Sequence, residues 1–502
     1  MTEQITFGTD GWRAVIADQF TFANVERVAH AVGLYVLKNY PKAANRGLPL
    51  LLGYDTRFLA NRFAYRAGQV LSGLGVASKI AQRDVPTPCI AFAAQHEATA
   101  GALQFTASHN PPEYLGVKYI PDYAGPATNE ITETITGYLG GSSSHLVEES
   151  TTIPEFDPKP PYLEALGKII DLKRIAASGI KPGFDALYST SRDYLDLVLS
   201  QAGVKVEVIH NWRDANFGGG MPEPKAQYLA DLFTLVKSAK LDVGLATDGD
   251  ADRFAVIDEL GNYLSPNQLL CLLMRHLVKN HSRQGAIVRT VATTHMLDRL
   301  AGKYKLEVLE TPVGFKYIGE IMRAKNVLIG GEESGGVSIQ GHIPEKDGIL
   351  ANLLVLEMLA YEKKPLSKIW QDVVQEAGGA LAYRRADLKL SILTQSALME
   401  RLKQSPLKKL AGQTVTKVSL VDGLKVYLAA DSWLLIRPSG TEPLLRLYSE
   451  SAEPELADAM LADAKVSVES IVKDLGSLDS GSAQKLVASG VKLPGVTPAA
   501  ED

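Results

Sequence analysis

The 502-residue chain is poor in cysteine, in net charge and in long hydrophobic runs, and each shortage excludes a class of protein. Its two cysteines, Cys89 and Cys271, are too few for a disulfide framework and fall in apolar helical runs. A net charge of −5 provides no excess of positive charge of the kind that binds nucleic acid. No apolar run approaches the length of a membrane span, and no signal peptide is visible. We therefore expect a cytoplasmic protein with neither a nucleic-acid nor a membrane partner.

Predicted strands and helices alternate along the first three quarters of the chain. The segment from LPLLLGYDT to AGALQF has the order βαβαβ, which is typical of a parallel sheet covered on both faces. The same pattern recurs from about Pro161 and from about Ser265, whereas strands joined by short turns follow Gly379. We predict an α/β protein of three similar α/β domains with mixed, mainly parallel sheets, plus a C-terminal α+β domain. The expected ranges are 1–150, 151–262, 263–378 and 379–476, with a loosely held tail at 477–502.

The last predicted strand of each α/β repeat ends in a polar loop that contains glycine or proline. These loops read TASHNPP, DGDADR and EESGG in the three repeats. Ligands of open parallel sheets bind beyond the carboxyl ends of the strands. The three α/β repeats could therefore present these loops to one cleft, each loop with a different chemical role.

The DGDADR loop carries Asp248, Asp250 and Asp252 at alternate positions. In an extended loop the three carboxylates would point the same way, and two such charges about 6 Å apart repel by roughly 3 kcal/mol. A hard divalent cation such as Mg²⁺ would remove that cost, whereas a solvated acidic turn would reduce it by screening. An EF-hand is rejected, because Arg253 occupies the position that needs glycine and the flanks read as strands.

Two further loops carry polar groups that suit a sugar phosphate. Arg437 in RPSGTEP offers a guanidinium fork for phosphate oxygens, and residues 439–441 offer two hydroxyls and a tight turn that could bind an anion. Glu332 and Ser334 in GGEESGG could bind vicinal sugar hydroxyls. Taken separately, the first pattern also fits a structural turn, and the second a flexible surface turn.

Ser108 in TASHNPP does not lie in the GxSxG sequence of a hydrolase elbow. His109 is its neighbour, but adjacency alone does not make it a partner base. Beside a bound Mg²⁺, the serine could carry a phosphoryl group, and the alternative is a serine that caps a helix or shapes a turn. The absence of GxxxxGK[ST] excludes a P-loop kinase.

The loops occur in one order along nearly the whole chain, as FGTDGWR, TASHNPPEYLGVK, DGDADRF, ETPVGFK, GGEESGG, HIPEKDG and RPSGTEP. Together they resemble the α-D-phosphohexomutase superfamily, the phosphoglucomutase and phosphomannomutase enzymes. The resemblance implies four domains around a central cleft, with Ser108 as the phosphoserine. It also implies one Mg²⁺ per chain, held by Asp248, Asp250, Asp252 and a phosphate oxygen on Ser108.

The resemblance extends to the residues around the reacting groups. It implies that the transfer site is lined by Arg13, His109, Lys118, Arg253 and Lys346, with Lys118 or His109 moving the hydroxyl proton. The implied substrate-binding residues are Thr311, Gly314, Glu332, Ser334, Lys346, Arg437, Ser439, Gly440 and Thr441.

The implied reaction interconverts hexose 1-phosphate and hexose 6-phosphate through a 1,6-bisphosphate. Phosphoglucosamine mutases and the dual phosphomannomutase/phosphoglucomutase enzymes usually have histidine where this chain has Gly336. Together with ETPVGFK and HIPEKDG, this glycine favours a phosphoglucomutase, with glucose 1,6-bisphosphate as intermediate and activator. Leu115 stands where many relatives have asparagine. The alternatives are a phosphomannomutase, a synthase that releases the bisphosphate and a non-catalytic sugar-phosphate-binding protein. We expect a monomer or weak dimer whose partners are small sugar phosphates.

Overall fold

The computed structural model describes residues 5, 7, 8, 11–140, 147, 150–439 and 443–476. The predicted tail at 477–502 lies outside the described residues, as do Gly440 and Thr441. No helix in the described part of the chain is both long and apolar enough to cross a membrane.

The first sheet is mixed and has six strands in the order β1-β5-β4-β2-β3-β6. The pairs β2–β4, β2–β3 and β3–β6 are parallel, which confirms the predicted βαβαβ unit, and β5 runs antiparallel to both β4 and β1. The strands are Trp12–Val15 (β1), Leu50–Tyr54 (β2), Ser78–Ala81 (β3), Ala102–Phe105 (β4), Tyr114–Ile120 (β5) and Glu155–Phe156 (β6). The helices are Phe22–Asn39 (α1), Ala60–Gly73 (α2), Thr87–His96 (α3) and Asn129–Tyr138 (α4).

Leu115 is fully buried in β5, where it lies opposite Ala14 of β1. It belongs to the hydrophobic core of this sheet. Leucine in place of asparagine at this position therefore contributes to the packing of the core.

The second sheet has five strands in the order β11-β10-β9-β7-β8. Strands β7, β8 and β9 are parallel, while β10 returns antiparallel beside β9. The strands are Pro182–Asp185 (β7), Glu207–Ile209 (β8), Val243–Thr247 (β9), Phe254–Asp258 (β10) and Tyr263–Leu264 (β11). The helices are Lys159–Ile169 (α5), Leu172–Ser178 (α6), Leu195–Gln201 (α7) and Ala230–Ser238 (α8).

The third sheet has four strands in the order β13-β12-β14-β15. Its helix α12 is apolar apart from Asn352 and Glu357 over the stretch from Gly348 to Ala360, and this stretch is buried because such a helix must be surrounded by protein. The strands are Ala286–Thr290 (β12), Val308–Thr311 (β13), Val327–Gly331 (β14) and Val337–Ile339 (β15). The helices are Pro266–Lys279 (α9), Met296–Tyr304 (α10), Phe315–Ala324 (α11), Gly348–Glu362 (α12) and Leu366–Glu376 (α13).

The C-terminal sheet is antiparallel, with five strands in the order β16-β22-β21-β20-β19 and a separate hairpin β17-β18. This confirms the predicted α+β character. The strands are Ala382–Lys389 (β16), Lys409–Leu410 (β17), Gln413–Thr414 (β18), Lys417–Ser419 (β19), Leu424–Tyr427 (β20), Trp433–Pro438 (β21) and Leu444–Ser451 (β22). The helices are Ile392–Gln404 (α14) and Pro454–Gly476 (α15).

The chain divides into two compact units. The first comprises Met1–Arg289, Leu300–Leu309 and Gly314–Val373, and therefore holds the first two sheets and most of the third. The second comprises Thr290–Arg299, Glu310–Val313 and Val374–Asp502. Cys89 in α3 and Cys271 in α9 are buried and unbridged, as predicted.

Candidate active site

Ser108 lies in the loop between β4 and β5, and it is almost fully buried. Its φ of 51° lies in the left-handed region, which is costly for a residue with a side chain and which clusters at functional sites. The backbone N–H of Ser108 donates to Thr106 Oγ1 at 2.9 Å. The serine is thus held in a fixed, strained conformation.

Arg57, which follows the neighbouring strand β2, holds this loop in place. It is not among the predicted site residues. Arg57 is fully buried and forms an ion pair with Asp55 at 3.1 Å. Its guanidinium also donates to four carbonyl oxygens of the loop, those of Ser108, Asn110, Pro111 and Tyr114, at 2.8, 2.6, 2.5 and 2.9 Å. Charged residues directly after a buried strand, as in GYDTR, were the available sequence signal.

The three aspartates lie in the turn between the antiparallel strands β9 and β10. The loop is a tight turn rather than an extended segment, because Ala251 N–H donates to Asp248 O at 3.1 Å and Ala251 has a φ of 58°. The carboxylates nevertheless converge, since the turn folds Asp250 and Asp252 back towards Asp248. Potential ligand oxygens of all three lie within 4.8 Å of one another.

The serine loop and the aspartate turn are in direct contact. Ser108 Oγ donates to Asp248 Oδ2 at 2.7 Å. A Cβ on Gly249 would lie only 2.4 Å from the carbonyl oxygen of Ser108, so this close approach requires glycine. On the other side, Thr87 Oγ1 donates to Asp250 Oδ2 at 2.6 Å.

The aspartate turn has the properties of a site for a hard divalent cation. All three side chains are buried, which contradicts the alternative of a solvated acidic turn. Asp250 Oδ1 and Asp252 Oδ1 are buried oxygens that accept no hydrogen bond from the described residues. Strands rather than helices flank the turn, in agreement with the rejection of an EF-hand. Three converging carboxylates, two of them with an unused oxygen, match the preference of Mg²⁺ for oxygen ligands.

Two buried lysines supply positive charge at the turn. Lys118 Nζ lies 3.1 Å from Asp250 Oδ2 and 3.6 Å from Asp252 Oδ2. Lys346 Nζ lies 2.9 Å from Asp252 Oδ2. Considered without their neighbours, both would have been taken for surface lysines, yet both are buried.

The surroundings shift the pKa values of Asp248 and Asp250 in opposite directions. Burial raises the pKa of Asp248 well above its ordinary value, and the charges of Asp252 and Asp250 raise it further. Burial also opposes ionisation of Asp250, but the Lys118 ammonium and the Thr87 hydrogen bond outweigh it and lower that pKa to about 2. Asp248, the carboxyl nearest the serine, is therefore the one that most needs an added cation to ionise.

His109, Arg13 and Arg253 surround the serine. His109 Nδ1 lies 3.4 Å from Ser108 Oγ, and burial followed by the charges of Arg253 and Arg13 holds the pKa of this histidine well below its ordinary value. Arg13 Nη1 donates to Asn110 Oδ1 at 2.8 Å. Arg253 N–H donates to Asp248 Oδ1 at 3.1 Å. All belong to the first compact unit.

The GGEESGG loop joins β14 to β15, and Glu332 within it is buried rather than exposed on a flexible turn. Its carboxylate accepts hydrogen bonds from Ser334 Oγ at 3.2 Å and from the backbone N–H of Gly314 at 3.0 Å. Burial raises the pKa of Glu332, an effect that the charge of Lys346 opposes. This loop also pairs with the aspartate turn through an antiparallel bridge between Gly336 and Arg253.

Gly336 leaves room for the stem of Lys346. A Cβ at this position would lie 2.4 Å from Lys346 Cδ and 3.5 Å from Glu332 Oε2. A larger residue therefore requires Lys346 to move away from Asp252.

Of the remaining predicted residues, Thr311, Arg437 and Ser439 are described and lie in the second compact unit. Arg437 of β21 donates from Nε to Asp422 Oδ2 at 3.0 Å. Ser439 N–H donates to Leu444 O at 2.7 Å, and Thr311 Oγ1 donates to Pro312 O at 2.9 Å.

Models of all four domains of the phosphoglucomutase/phosphomannomutase family match the chain. Alpha/beta/alpha domains I, II and III match residues 4–144, 160–261 and 265–377, and the C-terminal domain matches residues 393–465. A crystal structure from Thermus thermophilus, provisionally named a phosphomannomutase, is 34% identical, with a TM-score of 0.81 and coverage of 93% of this chain and 100% of that one. The chain belongs to the phosphoglucomutase/phosphomannomutase family.

Members of this family are phosphohexomutases, and the chain is an intramolecular phosphotransferase of that class. A phosphoglucomutase from Komagataeibacter xylinus is 28% identical over 90% of this chain and 88% of its own. A phosphoglucomutase/phosphomannomutase from Thermococcus kodakarensis is 29% identical over 90% of this chain and 95% of its own. These names include both glucose and mannose enzymes.

Arg57→Lys should lower kcat by about a hundredfold with little change in KM, because misplacing a reacting group by about 1 Å can cost that much. A lysine keeps the charge beside Asp55 but cannot reach the four carbonyl oxygens that the guanidinium fork contacts. Steady-state mutase kinetics measure the effect, and hydrogen exchange of residues 106–114 should increase. Arg66→Lys, at an ion pair with Glu26, is the matched control. A folded variant with normal kcat would show that Arg57 does not position the loop.

Gly336→Ala should lower mutase turnover by about tenfold, equivalent to ~1.4 kcal/mol, because the methyl group would displace Lys346 from Asp252. Steady-state kinetics provide the measurement. Gly302→Ala in α10 is the control, since a Cβ there meets nothing within 4 Å. In a Lys346→Ala background the substitution should have little further effect. An undiminished loss in that background would rule out displacement of Lys346 as the cause.

Proposed function

We propose that this phosphohexomutase interconverts glucose 1-phosphate and glucose 6-phosphate through a phosphoserine at Ser108 and a glucose 1,6-bisphosphate intermediate. The supporting observation is the 2.7 Å hydrogen bond from Ser108 Oγ to Asp248 Oδ2 inside the buried aspartate turn. A serine hydroxyl beside a carboxylate cluster is suited to phosphoryl transfer, in which a metal ion and positioned cations supply most of the catalysis.

Asp248, Asp250 and Asp252 would hold one Mg²⁺. When bound, this ion polarises phosphoryl oxygens and offsets their negative charge. The buried oxygens of Asp250 and Asp252 that accept no hydrogen bond from the described residues support this assignment.

In the first transfer, the Ser108 Oγ–phosphorus bond breaks while a bond forms from phosphorus to the free hydroxyl oxygen of the sugar phosphate. The sugar hydroxyl loses its proton to His109 or Lys118. His109 Nδ1 lies 3.4 Å from Ser108 Oγ, one end of the breaking bond. Lys118 forms ion pairs with Asp250 and Asp252. The second transfer reverses these bond changes at the other end of the turned bisphosphate.

Cationic side chains would offset the charge of the transferring phosphoryl group. Lys118 and Lys346 already contact the aspartate turn, and Arg253 follows it directly. Arg13 is held beside the serine loop through Asn110. Preorganised cations in a buried site act more strongly than the same charges in water.

The sugar and its second phosphate would be held by separate groups. Glu332 and Ser334, with the backbone at Gly314, would bind sugar hydroxyls, because a buried carboxylate and a hydroxyl are suitable partners for them. We assign the phosphate that does not react to Arg437 and its neighbours. The remaining members of this group are Thr311, Ser439, Gly440 and Thr441.

Glucose is the proposed sugar because position 336 is glycine. The stem of Lys346 occupies the space beside Glu332 that a side chain at this position would need. Histidine at this position, as is usual in phosphoglucosamine mutases, would compete for that space.

Ser108→Ala should abolish turnover, a loss of at least about a millionfold if the covalent route carries the reaction. Phosphorus NMR of glucose 1-phosphate conversion measures it, with circular dichroism as a check of folding. Wild type incubated with glucose 1,6-bisphosphate should gain one phosphoryl group by mass spectrometry, and the variant should gain none. Ser178→Ala, at the end of α6, is the control. Substantial turnover by Ser108→Ala would refute a phosphoserine mechanism.

A substrate panel should give the highest kcat/KM with glucose 1-phosphate, compared with mannose 1-phosphate and glucosamine 1-phosphate. Phosphorus NMR identifies both the hexose 6-phosphate and any released bisphosphate. A higher kcat/KM with either other sugar would overturn the assignment of glucose while leaving the phosphoserine route intact. Net release of glucose 1,6-bisphosphate would instead identify a synthase.

A further inference from the structure

Among the described residues, one other group besides the aspartate turn has several potential metal ligands close together. His276 lies in the last turn of α9, His281 lies just beyond the end of that helix, and Glu357 lies in α12. Their candidate ligand atoms lie within 4.8 Å of one another. We call these three residues the His–His–Glu cluster.

Both imidazoles of the His–His–Glu cluster point at the same carboxylate oxygen. His276 Nε2 lies 2.9 Å and His281 Nε2 lies 3.0 Å from Glu357 Oε2. His276 and Glu357 are fully buried, and the side chain of His281 is 18% exposed. Two ring nitrogens and one carboxylate oxygen thus converge at a largely buried point.

Surrounding residues hold the three side chains in this arrangement. Asn280 Nδ2 lies 2.9 Å from His276 Nδ1, so a metal ion bound at Nε2, which leaves the ring proton on Nδ1, requires the amide of Asn280 to turn its oxygen towards that proton. The backbone N–H of Asp171 donates to Glu357 Oε1 at 2.6 Å. The Tyr361 ring packs against His281 with centroids 5.4 Å apart. Outer partners of this kind fix the orientation of metal-binding histidines and carboxylates.

Charge also favours a cation at this point. The ion-pair partners of Glu357 within the described part of the chain are the two histidines. The nearby basic residues Arg275 and Lys279 are paired with Glu362 instead. A buried carboxylate is costly unless a positive charge compensates it, and a divalent cation bound by Glu357 and two neutral imidazoles would do so.

We propose that the His–His–Glu cluster binds Zn²⁺ through His276 Nε2, His281 Nε2 and Glu357 Oε2. Two imidazoles and one carboxylate are a zinc-type ligand set, whereas Mg²⁺ and Ca²⁺ prefer oxygen ligands alone. Tetrahedral ligands about 2.05 Å from zinc stand about 3.3 Å apart, so the two histidine–glutamate distances need to increase by only about 0.4 Å. A water would supply the fourth ligand.

Binding would connect three helices of the first compact unit. His276 is part of α9, Glu357 is part of α12, and Asp171, which donates to Glu357, caps the N-terminus of α6. Zinc would therefore stabilise the folded chain by mass action, because the unfolded chain does not bring these residues together.

The test is zinc stoichiometry and thermal unfolding of full-length wild type, His281→Ala and Glu357→Gln, each chelated, dialysed and titrated in excess Mg²⁺. Wild type should bind one more equivalent of Zn²⁺ than either variant, and only wild type should gain thermal stability from that equivalent. The affinity loss should exceed the roughly 10–100-fold typical of an outer partner. Co²⁺ in place of Zn²⁺ should give wild type the intense visible absorption of a four-coordinate site.

His96→Ala removes an exposed histidine outside the cluster and should bind zinc as wild type does. Circular dichroism before titration identifies any variant that fails to fold. Equal zinc stoichiometry and equal stabilisation in all four proteins would overturn the proposal, as would the absence of a zinc-dependent shift in wild type. Because the readouts are zinc binding and unfolding, they are independent of the sugar that the mutase uses.

Discussion

The turn between β9 and β10 brings three carboxyl groups together where water is largely excluded, and this charge density constrains everything around it. At an effective dielectric of about 20, each pair of like charges a few ångströms apart costs several kcal/mol. Lys118 from the first sheet and Lys346 from the third compensate part of that charge. Ser108 then donates the hydrogen bond that brings the reacting hydroxyl to the remaining carboxylate.

The sequence predicted the parallel strands and the loops beyond them because both leave local patterns. Buried runs such as LPLLLG and NVLIGG are short, apolar and bounded by glycine, and ligand loops follow the carboxyl ends of such strands. Strand β5 leaves no such pattern, since YLGVKYI contains a glycine and a lysine and is almost entirely buried. Lys118 can be buried in that strand only because the second sheet supplies the carboxylates that pair with it.

The parts of the site that local reasoning missed depend on contacts between distant segments. Arg57 reaches the serine loop across more than fifty residues, and no spacing rule connects a charged residue after β2 to that loop. At the aspartate turn, the sequence pattern led to the correct outcome for a different physical reason. Alternate spacing predicted convergence of the three carboxylates, but the actual cause is a tight turn closed by the hydrogen bond from Ala251 N–H to Asp248 O, with Ala251 at a φ of 58°. The alternate spacing of the three aspartates does not by itself reveal this turn.

Helix α12 gives the aspartate turn and the His–His–Glu cluster a common support. At its N-terminus, Gly348 N–H donates to Ala251 O, and Asn352 Nδ2 donates to Ala246 O at 3.1 Å, so the first turns of the helix hold β9 and the aspartate turn. Glu357 lies nine residues after Gly348, about 14 Å further along at 1.5 Å per residue. A helix buried on all faces transmits displacement along its axis with little bending, because its neighbours are closely packed. A cation that fixed Glu357 would therefore also restrict the position of the helix end that supports the aspartates.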